Sequence, residues 1–284
     1  METFERSYRI LSYAFRVRSP LARVGELVHR YLEPFPAENL NGVPTYVLGP
    51  SDEDQRYAMC RGEEQLSQAS TEAGLVDLIL WEVHREALER ADDYVSIHAG
   101  AVSRDGVGVV LPATMDSGKT TLSGGLVHAG FDYLSDEVAL IAPETGHVHP
   151  FPKVLTFESP SVELFPGLKE ELPPEFAWGS RLRYHIRPSD LRPGAGPGEP
   201  CPIRFVISPR YERGSRTRLE PLTRAETAVL LAKNSFNFDR LGGPALHALE
   251  RAVADAEGYR LSIGNLGEAV EAVEGVVAGA ASRT

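Results

Sequence analysis

The chain has 284 residues, of which 42% are hydrophobic and 24% charged, so it can bury the core of one large or two smaller globular units. Its formal net charge of −11 argues against nucleic acid and membranes as partners, because an acidic surface repels phosphate polymers and anionic lipids. The only cysteines, Cys60 and Cys201, lack the spacing of a metal site or a disulfide framework. The sequence has neither a signal-like N-terminus nor an apolar run of about 18 residues, so we predict a cytoplasmic protein.

The first ninety residues predict a small mixed lobe. Ser7–Val17 is rich in aromatic and β-branched residues, which is typical of a strand, and Thr45–Leu48 predicts a second strand. Leu21–Tyr31 and Leu75–Ala91 carry apolar residues at helical spacing, which predicts two amphipathic helices. We therefore predict an N-terminal α/β lobe over residues 1–92, whose role the sequence does not reveal.

The middle of the chain predicts alternating strands and helices around one loop. The predicted elements are, in order, strands Tyr94–Val102 and Gly106–Pro112, a helix Lys119–Ala129 closed by Gly130, and strands Phe131–Leu134 and Val138–Ile141. A strand, loop, helix and strand in this order is the layout of mononucleotide-binding folds. This layout predicts a nucleotide site at the loop between the second strand and the helix.

The last third of the chain predicts one strand and several helices. The predicted elements are strand Ile203–Pro209 and helices Arg224–Leu231, Ala245–Ala256 and Leu266–Ala278. Before them, Arg192–Pro202 is rich in proline and glycine, which is typical of a linker or mobile loop. We assign residues 93–284 to a single catalytic domain.

The segment Ala113–Thr120, ATMDSGKT, fits the template of a phosphate-binding loop with alanine in place of the first glycine. Such a loop points successive backbone N–H groups at phosphates, and the following helix presents its N-terminus to them. Lys119 would supply positive charge to the β- and γ-phosphates, and Thr120 a hydroxyl to Mg²⁺. The alternative is an ordinary surface loop. The predicted nucleotide contacts are Ala113, Thr114, Met115, Asp116, Ser117, Gly118, Lys119, Thr120 and Thr121.

Two adjacent carboxylates, Asp136 and Glu137, follow the strand after this helix. One of them can hold Mg²⁺ and the other can accept a hydroxyl proton, whereas the alternative is a solvated acidic turn. Two carboxylates beside a triphosphate repel it unless a divalent ion lies between them, so the pair predicts Mg²⁺.

Other polar residues near these motifs are less specific. His98 lies in an apolar strand, where it is either a core histidine or a hydrogen-bond partner of a catalytic carboxylate or phosphate. Lys153, between prolines and apolar residues, is either a phosphate contact or a surface lysine. Arg181, Arg183 and Arg187 form a basic run from which one arginine could neutralise charge in a transition state.

The segments IHAGAV, GVVLPATMDSGKTTLSGGLVHAG and YLSDEVALIAPETGHVHPFPKVLTF occur in this order. The run from His98 through Leu168 resembles the catalytic core of HPr kinase/phosphorylase, and more closely that of the bacterial HPr-kinase-related kinases. The resemblance implies a P-loop α/β fold shared with phosphoenolpyruvate carboxykinase. By position it implies that Asp136 is the general base for an acceptor serine, that Glu137 helps to hold Mg²⁺, and that His98 matches the family's histidine.

The sequence departs from that family after the core, where PFPKVLTFESPSVELFP occupies the region of the phosphorylase segment. We therefore expect an ATP- and Mg²⁺-dependent kinase that phosphorylates a serine-type hydroxyl of a protein, peptide or small molecule. The catalytic residues would be Asp136, His98 and Lys119, and the metal ligands Thr120 and Glu137. The alternative is a nucleotide-binding regulatory protein that transfers no phosphate. A third possibility is an ATPase or GTPase, which would need a residue that positions water; a GTPase is disfavoured because the sequence has no N-K-x-D motif. A homo-oligomer is compatible with the resemblance.

Overall fold

The computed structural model describes residues 3–38, 40–51, 56–166, 168, 176–178 and 181–281. The chain forms two compact units, which are Met1–Ala91 with Leu172–His185, and Asp92–Glu171 with Ile186–Thr284. The strands of the first unit are β1 Phe4–Ile10, β2 Tyr13–Ser19, β3 Pro36–Ala37, β4 Thr45–Pro50, β5 Tyr57–Arg61, β6 Glu64–Ala69, β13 Phe176–Trp178 and β14 Arg181–Ile186, whose last residue belongs to the second unit. Its helices are α1 Ala22–Leu32 and α2 Glu72–Glu89.

The second unit contains the remaining elements. Its strands are β7 Val95–Arg104, β8 Val107–Pro112, β9 Asp132–Ser135, β10 Val138–Ile141, β11 Val148–His149, β12 Leu155–Glu158, β15 Ile203–Tyr211, β16 Arg218–Leu222 and β17 Glu257–Ile263. Its helices are α3 Lys119–His128, α4 Ser159–Val162, α5 Pro188–Leu191, α6 Arg224–Lys233, α7 Phe238–Leu241, α8 Gly243–Ala254 and α9 Leu266–Ala281.

The sheet of the first unit has the strand order β3-β1-β2-β4-β5-β6. The prediction of one strand over Ser7–Val17 is wrong, because the chain reverses between Ile10 and Tyr13, and β1 pairs with β2 antiparallel. Leu11 takes a φ of 54° in this turn, so a residue that gives no turn signal adopts a left-handed conformation. Helix α1 then links β2 to its parallel neighbour β4.

The main sheet of the second unit has the order β11-β10-β7-β8-β15-β17-β16, with β9 also paired to β7. Strands β8, β15 and β17 run parallel to one another, so their carboxyl ends lie at the same edge. Alternate residues of β7 face opposite sides of the sheet. Ile97, Ala99 and Ala101 are buried in a cluster with residues of α8, whereas Gly100 lies against Ser123 of α3.

The sequence predictions for this unit mostly match the structure. Helix α3, ended by Gly130 with a φ of 106°, strands β8 and β10, and helices α6, α8 and α9 are confirmed within a few residues. The segment Arg192–Pro202, predicted as a linker or mobile loop, forms a loop within the second unit, and its backbone is bonded to neighbouring strands. Gly196 and Gly198 bond to Tyr133 of β9, and Cys201 exchanges two hydrogen bonds with Val148 of β11.

Among the helices of the described ranges, none combines the length and the apolar composition that crossing a bilayer requires.

Candidate functional site

The loop of residues 113–118 joins β8 to α3 at the edge where the parallel strands end. Gly118 has a φ of 88°, which an L-residue with a side chain rarely adopts, and a Cβ atom there would lie 3.4 Å from the Cβ atom of Tyr211. The Tyr211 N–H donates a hydrogen bond of 3.0 Å to the Ser117 carbonyl, which fixes the loop against the end of β15. Thr114, Met115 and Asp116 are exposed at the tip of the loop, and Ala113 is buried.

The side chain of Lys119, the first residue of α3, is buried beneath this loop. Its ammonium donates to the carbonyl oxygens of Ala113 at 3.1 Å and Thr114 at 3.2 Å, and lies 3.2 Å from Nε2 of His98. Burial lowers the pKa of Lys119, while the negative charges of Asp136, Glu137 and Asp116 act in the opposite direction. The structure therefore places one cation at the start of α3, where the helix dipole also favours anions.

The imidazole of His98, on β7, is the third partner of the Lys119 ammonium. Burial, and then the positive charge of Lys119, lower the pKa of His98, so the neutral ring is favoured and its Nε2 can accept from Lys119. The ring of Phe236 lies 5.5 Å from that of His98, centroid to centroid, and remains largely exposed. The sequence suggested a carboxylate or phosphate partner for His98, and the structure places it beside Lys119 and Phe236.

Hydroxyl groups of the 113–118 loop and of α3 differ in their surroundings. The Ser117 hydroxyl is buried and has no hydrogen-bond partner within the described ranges, which is costly unless a ligand or water satisfies it. The Thr121 hydroxyl is hydrogen-bonded to the Ser161 hydroxyl at 2.8 Å, so it links α3 to α4 rather than to the loop. Thr120 is half-buried on the first turn of α3.

The carboxylate pair lies at the junction of β9 and β10, which pair with β7 one after the other. The Ser135 hydroxyl accepts the N–H groups of Glu137 and Val138, and the Glu137 carbonyl accepts the Ala99 N–H. These bonds fix a kink in which the Asp136 side chain is buried and only 2% exposed, whereas that of Glu137 is 57% exposed. The two adjacent carboxylates thus have different environments.

The Asp136 carboxylate accepts hydrogen bonds at both of its oxygens. Oδ1 accepts the Tyr133 hydroxyl at 3.0 Å and lies 2.9 Å from Nζ of Lys153, and Oδ2 accepts the Thr156 N–H at 3.3 Å. Burial, with the charge of Asp136, raises the pKa of Tyr133 well above its ordinary value, so the phenol stays a neutral donor. The single Tyr133 O–H is shared between Asp136 Oδ1 and the Lys153 carbonyl, which lies at 2.8 Å.

Lys153 is not the surface lysine that the sequence offered as one interpretation, and its role as a phosphate contact stays a prediction. It is buried, and its ammonium lies 2.9 Å from Asp136 Oδ1, 3.1 Å from Glu137 Oε2 and 3.2 Å from the Val154 carbonyl. Burial alone would lower the pKa of Lys153, but the carboxylates of Asp136 and Glu137 outweigh it and raise that pKa, so the ammonium stays charged. No spacing signal in the sequence links residue 153 to residue 136.

Of the arginines in the basic run, Arg187 lies in a local contact. Arg187 pairs with Asp190 at 2.7 Å at the start of α5, and the side chain of Arg181 lies outside the described residues. In the described part of the chain, no group of three or more His, Cys, Asp and Glu side chains is placed to hold a metal ion. The polar residues gathered around α3 and the β9–β10 junction are therefore the candidate site.

No protein-family model matches this sequence, and no curated protein matches it. Among solved structures, an HPr(Ser) kinase/phosphatase from Coxiella burnetii aligns over 66% of this chain and 97% of its own, with 14% sequence identity and a TM-score of 0.32. A TM-score this low does not establish a shared fold. The mixed α/β character predicted from the sequence is confirmed by the structure, and its assignment to the HPr kinase and phosphoenolpyruvate carboxykinase type remains a prediction.

Proposed function

We propose that this chain is an ATP- and Mg²⁺-dependent kinase that phosphorylates a serine-type hydroxyl of a protein, peptide or small molecule. The observation that carries the proposal is the buried Lys119 ammonium, held by two loop carbonyls at the start of α3 and close enough to Asp136 and Glu137 for their charges to act on its pKa. We assign the activity to residues 93–284 and propose no role for the lobe of residues 1–92.

The 113–118 loop fits a chain of phosphates in three ways. The N-terminus of α3 offers backbone N–H groups and the positive end of a helix dipole. Lys119 supplies a full positive charge. The buried Ser117 hydroxyl needs a partner, and a phosphate oxygen would satisfy it. These features support ATP as a substrate of this site.

The ligands for Mg²⁺ would be the Thr120 hydroxyl and the Glu137 carboxylate, both oxygen donors of the kind this ion prefers. Thr120 is half-buried next to Lys119, and Glu137 is mostly exposed, so each can be reached from solvent. When bound, Mg²⁺ would neutralise charge on the phosphates. Lys119 and the α3 N-terminus would orient and stabilise the same group.

Asp136 would accept the proton of the acceptor hydroxyl as its oxygen bonds to the γ-phosphorus and the bond from that phosphorus to the β-phosphate oxygen breaks. Its Oδ1 is occupied by Tyr133 and Lys153, so Oδ2, which accepts the single longer bond from the Thr156 N–H, is the oxygen suited to this step. ADP and the phosphorylated acceptor are the products.

One observation favours a second function, ATP binding without phosphate transfer. Asp136 is almost completely buried and paired with the Lys153 ammonium, which makes its carboxylate less accessible to an acceptor hydroxyl. A regulatory protein would retain the phosphate contacts of Lys119 and Ser117 and would use Asp136 only to hold the fold.

The two functions differ in a transfer assay. The protein is incubated with γ-labelled ATP, Mg²⁺ and a pool of serine peptides, HPr, small hydroxyl compounds and cell extract, beside Asp136→Asn and Lys119→Met. Labelling of one acceptor that is lost in Asp136→Asn, while ATP binding survives, is the expected result. ATP binding by the wild type with no labelled acceptor in any fraction would replace the kinase with the regulatory function.

A further inference from the structure

We infer that Lys153 is a resident cation that occupies the place of a metal ion between Asp136 and Glu137. The carboxylate pair then binds no divalent ion by itself, and a single Mg²⁺ enters with the nucleotide. The second part of this inference rests on the proposed function, whereas the first part does not. The sequence predicted Mg²⁺ on the ground that two carboxylates beside a triphosphate repel it unless a divalent ion lies between them, and the structure places a cation of the chain itself beside both carboxylates.

The geometry of the ammonium supports this role. A lysine ammonium has three N–H groups, and the three oxygens within reach of Nζ are Asp136 Oδ1 at 2.9 Å, Glu137 Oε2 at 3.1 Å and the Val154 carbonyl at 3.2 Å. All three donors are therefore used within the protein. A phosphate contact by Lys153 would require it to give up at least one of these three partners.

The backbone also holds Lys153 in this position. Its N–H donates to the Phe151 carbonyl at 2.8 Å, and its own carbonyl accepts the Tyr133 hydroxyl at 2.8 Å. The same hydroxyl donates to Asp136 Oδ1, so Tyr133 fixes both the lysine and its principal partner. A divalent ion could bridge Asp136 and Glu137 only by displacing an ammonium that is anchored at its backbone and satisfied at its head.

Binding of Mn²⁺ to the purified full-length protein tests the inference without any nucleotide, with the electron paramagnetic resonance signal of free Mn²⁺ as the readout. We expect wild type to bind weakly and Lys153→Met to bind at least about tenfold tighter, because a positive charge beside the carboxylates has been removed. Adding Asp136→Asn to Lys153→Met should abolish the gain. Lys153→Arg, which keeps the charge, and Lys233→Met, which removes an exposed lysine of α6, should both bind as wild type does.

Two results would overturn the inference. The first is a folded Lys153→Met protein that binds Mn²⁺ no better than wild type. The second is tight binding of Mn²⁺ by the nucleotide-free wild type that is lost in Asp136→Asn. This result needs no lysine variant, so it can be obtained even if Lys153→Met does not fold. In the presence of ATP we expect one Mn²⁺ per protein, and two would contradict the single-ion part. Since the nucleotide-free titration is independent of phosphate transfer, a failed kinase assay and a failed resident-cation assay are separate outcomes.

Discussion

His98 and Lys119 share one hydrogen bond, so the protonation state of each depends on the other. Burial is the main cause that lowers the pKa of His98, and the Lys119 charge is the second, while Glu137 acts weakly in the opposite direction. A neutral His98 can accept from Lys119, whereas an imidazolium would place two positive charges 3.2 Å apart. The imidazole therefore helps to hold the ammonium at the 113–118 loop.

Replacing Lys119 with methionine should raise the pKa of His98 towards its ordinary value of 6.5, since one of the two lowering causes is removed. The pKa can be followed by NMR titration of the His98 imidazole signals in the wild type and in Lys119→Met. An unchanged His98 curve would show that the two side chains do not interact in solution.

The same depressed pKa has a consequence for stability. The unfolded chain takes up the His98 proton at a higher pH than the folded chain does. The contribution of neutral His98 is therefore fully present above about pH 6.5 and is lost as the pH falls through the folded pKa. Lys119→Met should narrow the pH range over which this contribution to stability is lost. The free energy of urea unfolding, measured between pH 5 and pH 8, tests this.

Asp136 and Lys153 form a buried ion pair whose removal should be strongly non-additive. Lys153→Met leaves a buried carboxylate without its cation, which typically costs about 3–5 kcal/mol of unfolding free energy. The double variant with Asp136→Asn should recover part of that loss, because no buried charge is left unpaired. Urea unfolding of the wild type, the two single variants and the double variant gives the coupling, and additive losses would contradict it.

At the level of elements, the sequence correctly predicted those segments whose local residue pattern agrees with their place in the folded structure. Strand β8 and helix α3 were predicted nearly to the residue, because an apolar run, a glycine-containing loop and a closing glycine mark their ends. Strands β5 and β6 were missed because β6 is rich in partly exposed polar residues, while the apolar residues of β5 are consecutive and do not alternate with polar ones. The hairpin of β1 and β2 was missed because its turn contains neither glycine nor asparagine.

The residues of the candidate site also fall into those that the sequence could predict and those that it could not. Lys119, Asp136, Glu137 and His98 could be proposed from local motifs and from the resemblance. The partners of Asp136 could not, because Tyr133 and Lys153 meet it only through the kink between β9 and β10 and the return of the chain after β11. Contacts of this kind depend on tertiary packing, which no spacing along the chain encodes.

Helix α3 contains adjacent glycines that its packing requires. A Cβ atom at Gly124 would lie 2.4 Å from Cζ of Phe157, closer than any real contact, although glycine inside a helix costs about 1 kcal/mol relative to alanine. Gly124→Ala should therefore destabilise the protein by roughly 1–3 kcal/mol through overpacking.

The control for this substitution is Gly275→Ala in α9, where a Cβ atom meets nothing within 4 Å. It should stabilise the protein by roughly 0.5–1 kcal/mol through helix propensity alone. Thermal unfolding of both variants compares the two effects, and a stabilising Gly124→Ala would show that Phe157 can move away at little cost.

At the level of the whole molecule, an acidic protein is proposed to bind a polyanion. The formal charge is −11, and within the candidate site Lys119 and Lys153 contribute +2 while Asp116, Asp136 and Glu137 contribute −3. The N-terminus of α3 adds partial positive charge next to Lys119. Local arrangement, and not the net charge, thus decides whether a phosphate chain is attracted.

Binding of nucleotide at this site leads to a prediction about the stability of the whole protein. ATP with Mg²⁺ at about 100 times its dissociation constant should stabilise the folded chain by about 2.7 kcal/mol, which corresponds to a rise of roughly 5 °C in the unfolding midpoint for a protein of this size. Lys119→Met should remove most of the shift, because the site then lacks its charge for the phosphates. Glu137→Gln should remove mainly the part of the midpoint shift that disappears when EDTA replaces Mg²⁺, since Glu137 is the proposed metal ligand and Lys119 is left intact.

Thermal denaturation of the three proteins with ATP, with ATP and EDTA, and without ligand separates these contributions. An equal shift in wild type and Lys119→Met would place the nucleotide elsewhere in the molecule, and the resident-cation role of Lys153 would then have to stand on the Mn²⁺ titration alone.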